Sequence, residues 1–172
     1  MPHYLHQFAF YIHILAGSLS LIVFWLPLWT KKGNKNHRRI GQVFVYTMYV
    51  LAFSGVFMSS LVIVDPMSVR NITANLTAEE TANFIYRNRV MAGFLFMLSV
   101  LVFCNVRQSI LVLKVKANRS ELKSPLHLSS LLFLGLLGLG LGYIGLIKSI
   151  LLFEIFAVFV FFVIIDCVDL GR

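Results

Sequence analysis

The chain has 172 residues, 59% of them hydrophobic and only 13% charged, with a mean hydropathy of +0.85. A water-soluble domain of this size cannot hide so much apolar surface, so the composition excludes soluble enzymes and soluble binding modules and leaves an integral membrane protein. The net charge of +8 does not point to nucleic acid, because the cations gather in two loops, a pattern that reads as membrane topology and contact with anionic lipid headgroups.

Five apolar stretches are long enough to cross a bilayer at about 20 residues each: 8–29, 41–64, 90–113, 129–147 and 150–168. They are continuous runs without the alternation of barrel strands, so the predicted fold is all-α, a single polytopic bundle of transmembrane helices with no internal repeat or linker. No Lys or Arg precedes the first run, which argues for a permanent first helix instead of a cleaved leader. Pro27 falls in the last turns of that span and should kink the helix there.

Between the first two spans Lys31, Lys32, Lys35, Arg38 and Arg39 occur without an acid, a run that hydrocarbon cannot hold and that fits anionic headgroups. Counted with Lys114, Lys116, Arg119 and Lys123 after span three, one face carries nine cations; Arg70, Arg87, Arg89 and Lys148 give the other face four. The positive-inside rule then places the N-terminus outside and the C-terminus in the cytoplasm, in the plasma (inner) membrane. Thr77-Ala78-Glu79-Glu80 reads as a capping box that starts the third helix near Ala78, well before the bilayer. Ser124-Pro125 reads as the start of span four. The connection around Lys148-Ser149 is short enough to make spans four and five a tight hairpin. Cys104 and Cys167 lie inside apolar runs and read as packed thiols, with no metal motif.

His13 is the one histidine within the first span, and Ala9, Ala16, Gly17 and Ser20 share its side of the helix, so it faces other helices. It is either a ligand or proton carrier, or a buried imidazole hydrogen-bonded across helices. In span two Gln42, Tyr46, Tyr49 and Phe53 form a stripe that suits either a flat ligand, such as a quinone or haem, or aromatic packing. In span four Gly135, Gly138, Gly142 and Gly145 fall on one face, the signature of close helix packing, within the chain or in an oligomer, or else of a cleft where backbone approaches a ligand.

Toward the inner side, polar groups from several helices reach one depth: Arg38, Arg39 and Gln42 open span two, Asn105, Arg107 and Gln108 end span three, His127 opens span four, and Asp166 and Asp169 end span five. An arginine at that depth must snorkel or pair, and Asp166 is the expected partner of Arg107. The cluster is either an anion-accepting or proton-handling pocket, or a structural group of salt bridges.

His13-Ile-Leu-Ala-Gly17, followed a span later by Lys32-Gly33, His37-Arg38, Gly41 and Met48, resembles a bacterial integral-membrane family catalogued as domain of unknown function 2306. The resemblance covers residues 10–65 best and implies multi-helix membrane topology without an activity. Family members look longer at the C-terminus, so the chain is expected to be a short member or a fragment.

Three functions remain open. The first is a non-enzymatic transporter-like unit or accessory subunit using the inner cluster. The second is a redox protein holding haem b through His37 and His127, with Arg38 and Arg39 meeting the propionates. The third is a lipid-headgroup enzyme with His37 or His127 as base.

Overall fold

The computed structural model describes residues 1–72, 76–114 and 125–169, with side chains at all of these except 114 and 166–169. Helices account for nearly all of them: α1 (Pro2–Trp25), α2 (Lys35–Val64), a short α3 (Pro66–Arg70), α4 (Ala78–Lys114), α5 (Pro125–Lys148) and α6 (Leu151–Asp169), with no strand among the described residues. Four of them, taken with the turn that follows α1, are long and apolar enough to cross a membrane: Pro2–Trp29, Lys35–Val64, Ala78–Leu113 and Pro125–Lys148. Helix α6 occupies the fifth expected span, and its apolar stretch Leu151–Ile165 is shorter than those four. The helices start earlier than the apolar runs because a helix that leaves the hydrocarbon keeps its internal hydrogen bonds at no cost, whereas hydropathy marks only the part in lipid. The chain forms two compact units, Met1–Ser99 and Val100–Arg172, which divide within α4.

In the first unit α1 packs along α2 through small residues. Ala9, Ala16 and Ser20 are buried on α1, and Thr47, Ala52, Gly55 and Ser59 on α2. Lipid tails are as apolar as leucine, so close backbone approach and van der Waals contact hold such helices together. Gly17 would bring a Cβ 3.2 Å from Leu51 Cδ1 of α2, and at Gly55 a methyl would stand 3.5 Å from His13 Cε1 and collide with Ser99 Oγ of α4. The hydroxyls in this seam satisfy themselves on their own helix, Ser20 to the Ala16 carbonyl and Ser59 to the Gly55 carbonyl, both at 2.7 Å.

The ends of these helices are set by particular residues. Pro27 has no amide to continue α1, and the chain tightens into a 3-10 turn over Leu26–Trp29. Gly33 at φ +86° turns the chain toward α2, a conformation side-chain-bearing residues rarely adopt. Pro66 forces Asp65 out of the helical region and ends α2. The Asp65 carboxylate then accepts from the Ser68 amide at 3.1 Å and caps α3, and that hydrogen bonding holds its pKa below the usual aspartate range. Arg89 of α4 reaches the open carbonyls at the end of α2, with Nε donating to Ile63 at 2.9 Å and Nη2 to Val64 at 3.4 Å. The capping box forms: Glu80 Oε2 accepts from the Thr77 amide at 2.9 Å, and Thr77 Oγ1 accepts from the Glu80 amide at 3.3 Å. Ser124, by contrast, lies outside the described residues.

The second unit contains the hairpin of α5 and α6. Ser149 at φ 52° and the Ile150 amide donating back to the Gly145 carbonyl at 2.9 Å close the turn. Leu131, Leu134, Gly138, Leu141 and Gly145 form the buried stripe of α5, and Phe153, Ala157 and Val160 that of α6. All four glycines of the sequence stripe face α6. A Cβ would fall 2.9 Å from Val160 Cγ1 at Gly138, 2.9 Å from Ala157 Cβ at Gly142, 3.2 Å from Ile164 Cδ1 at Gly135 and 3.1 Å from Phe153 Cβ at Gly145.

Candidate functional site

In the first unit His13 and His37 have hydrogen-bond partners. His13 Nδ1 lies 2.9 Å from Ser54 Oγ of α2, and that hydroxyl is in turn 2.7 Å from the Val50 carbonyl and 3.0 Å from the Leu51 carbonyl. A hydroxyl has one proton; with it directed at those carbonyls, Ser54 accepts from the ring and sets the Nδ1–H tautomer of His13. This is the cross-helix bond that the second reading of His13 anticipates, and Ser54 is a partner the sequence did not single out. His37 Nδ1 is 3.0 Å from Thr30 Oγ1, whose hydroxyl also lies 3.1 Å from the Pro27 carbonyl, so the histidine ties the start of α2 to the turn after α1. Arg38, Arg39 and Gln42 are exposed on the first turns of α2, and so are Lys31, Lys32 and Lys35 before them. Tyr46 and Phe53 of the aromatic stripe are exposed too, while Tyr49 and Phe53 stack with centroids 6.3 Å apart.

The second unit differs. Leu101, Cys104 and Gln108 follow one another at helical spacing on a buried face of α4. Cys104, wholly buried, points its thiol at the Ser130 carbonyl of α5, 3.7 Å away. One turn earlier on α5 stands His127, only 1% exposed, within reach of the Arg107 charge. With Cys104 against Ser130 and the Arg107 charge acting on His127, α4 and α5 run antiparallel here. Gln108, 7% exposed, therefore sits at the level where α5 begins. Its amide Nε2 and Oε1, both ring nitrogens of His127 and Nε of Arg107 are buried and have no hydrogen-bond partner among the described residues. Each such group costs about 1–3 kcal/mol unless something pairs with it.

Of the inner residues expected to meet, the structure thus brings together Arg107 and His127, with Gln108 at their level; Asn105 is exposed. Helix α6 carries Asp166 and Asp169, whose side chains lie outside the described residues, and so does the expected pairing of Arg107 with Asp166. His37 belongs to the first unit and His127 to the second. Among the described residues no group of three or more His, Cys, Asp and Glu side chains could hold a metal ion.

The family model described as "Predicted membrane protein (DUF2306)" matches residues 10–120, about two thirds of the chain, and the chain belongs to that family. The matched stretch includes His13, Ser54, Arg107 and Gln108 and ends before His127. No curated protein and no solved structure matches the chain.

Proposed function

We propose that this membrane protein is a non-enzymatic, transporter-like or accessory subunit whose working part is the cluster of Arg107, Gln108 and His127. The burial of Gln108 and His127 with every polar side-chain atom unpartnered carries this reading. A fold selected for stability alone gains more from leucine at such positions, since apolar replacements of buried polar groups are often neutral or stabilising. A site that trades stability for binding is the economical explanation. The double variant Gln108→Met/His127→Leu, in lipid-free detergent, is therefore expected to unfold at or above the temperature of the native chain. A midpoint several degrees lower would mean that the two side chains are structural and would overturn the reading.

The cation count supports an N-terminus outside, a C-terminus in the cytoplasm of the plasma (inner) membrane, and a cytoplasmic face for this cluster, at the end of α4 that leads into Lys114, Lys116, Arg119 and Lys123. The exposed cations of the 31–39 loop then lie against anionic headgroups on that same face. In a background lacking both native cysteines, Lys35→Cys should resist an impermeant thiol reagent applied to intact cells and react once the membrane is opened. Labelling in intact cells would reverse the orientation.

A further inference from the structure

The unpartnered groups at the start of α5 specify more than a polar ligand, because they include acceptors as well as donors. Arg107 Nε–H, the two hydrogens of the Gln108 amide and one N–H of a neutral His127 ring offer donors; Gln108 Oε1 and the second ring nitrogen require donors from the other side. A carboxylate or sulfate has oxygens for the first set and no hydrogen for the second. A phosphate group carrying its own O–H, or a phosphodiester with neighbouring hydroxyls, matches both. The guanidinium supplies the positive charge, and the N-terminal end of the 24-residue helix α5 adds its dipole in the same sense.

We infer that Arg107, Gln108 and His127 bind a phosphate oxyanion bearing hydroxyl donors, either free hydrogen phosphate or the headgroup of a hydroxylated anionic phospholipid. The inference rests on the proposed role of this cluster and names its ligand. Binding through Nε and an amide leaves the terminal nitrogens of Arg107 free to meet an acid of the chain.

The full-length protein, stripped of lipid in detergent, is titrated with sodium phosphate and in parallel with sodium sulfate, and its unfolding midpoint is followed. Both salts strengthen apolar burial in general, so the difference between them isolates the site. At a hundredfold excess over Kd the phosphate midpoint should exceed the sulfate midpoint by roughly 5–10 °C. A second arm compares nanodiscs of phosphatidylglycerol with nanodiscs of phosphatidylcholine. A shift from inorganic phosphate identifies the free anion as a ligand, and a shift confined to phosphatidylglycerol identifies the headgroup; either supports the inference, provided that it vanishes in Gln108→Met/His127→Leu and survives Lys31→Gln/Lys32→Gln. Equal effects of phosphate and sulfate together with equal midpoints in the two kinds of nanodisc, or a shift that persists in the Gln108/His127 double variant, overturn the ligand assignment. If that double variant is still as stable as the native chain, only the ligand class has failed. If it is also less stable, the proposed site has failed with it.

Discussion

The two units of the chain differ in how their buried polar side chains other than hydroxyls are paired. In Met1–Ser99 the intramembrane hydroxyls back-bond to their own helices, His13 is paired with Ser54, and Arg89 closes the end of α2. In Val100–Arg172 the buried side chains of Gln108 and His127 have no partner among the described residues, while the rest of the buried stripe on α5 and α6 is apolar or glycine. The first unit spends its polar residues on its own architecture. The second packs α5 on α6 through the glycine seam, and although Ser109, Ser129 and Ser130 also bond back to their own helices, Gln108 and His127 stay unpartnered among the described residues. Polarity in a membrane span therefore has to be judged by whether its hydrogen bonds are already taken, and residue type alone does not decide it.

The largest effect that could break this contrast concerns the seam. If packing alone holds the second unit, Gly138→Leu must drive a side chain into Val160 and should cost about 1–3 kcal/mol, with a lower midpoint in detergent. Gly140→Leu is the matched control, since nothing lies within 4 Å of a Cβ there, and it should leave the midpoint nearly unchanged. Equal stability of the two variants would show that the glycine seam is not what holds α5 to α6. A smaller effect sharpens the other side. Ser54→Ala removes the partner of His13 and should cost about 0.6 kcal/mol, up to roughly 1.7, as cross-helix hydrogen bonds in membranes do. His13→Leu together with Ser54→Ala should cost less than the sum of the two single changes. Strict additivity would mean that the bond contributes nothing.

Much of the architecture could be read from residues. Apolar runs located the helices, Thr77 and Glu80 the start of α4, and Lys148-Ser149 the tight hairpin, whereas Pro27, expected to kink span one, ends the α-helix and leaves a 3-10 turn. The glycine spacing gave the face of α5 but not its neighbour, because periodicity says which residues share a side and nothing about what that side meets. The same limit applies to His13: its small neighbours implied a facing helix, yet Ser54 is 41 residues away and only the packing of α1 on α2 selects it. A signal was available in Gly55 and Ser59, a small-xxx-small pair that marks the contact face of α2. At the inner cluster the sequence put Arg107, Gln108 and His127 at one depth, but depth does not tell a satisfied group from an unsatisfied one. Arg89 was counted only as a charge for topology, whereas its geometry makes it a helix cap.

That cap has a mechanical consequence. Arg89 fastens α4 to the C-terminal end of α2, and ten residues further along, roughly 15 Å down the axis, Ser99 is fitted against Gly55. Two pins at different depths fix both register and tilt. A slide of α4 along α2 by one helical turn would carry the guanidinium about 5.4 Å from the Ile63 and Val64 carbonyls and drive Ser99 off Gly55, where no side chain stands in its way. Piston motion between these helices is therefore blocked at both pins. Within the first unit, α4 is thereby held at one height on α2.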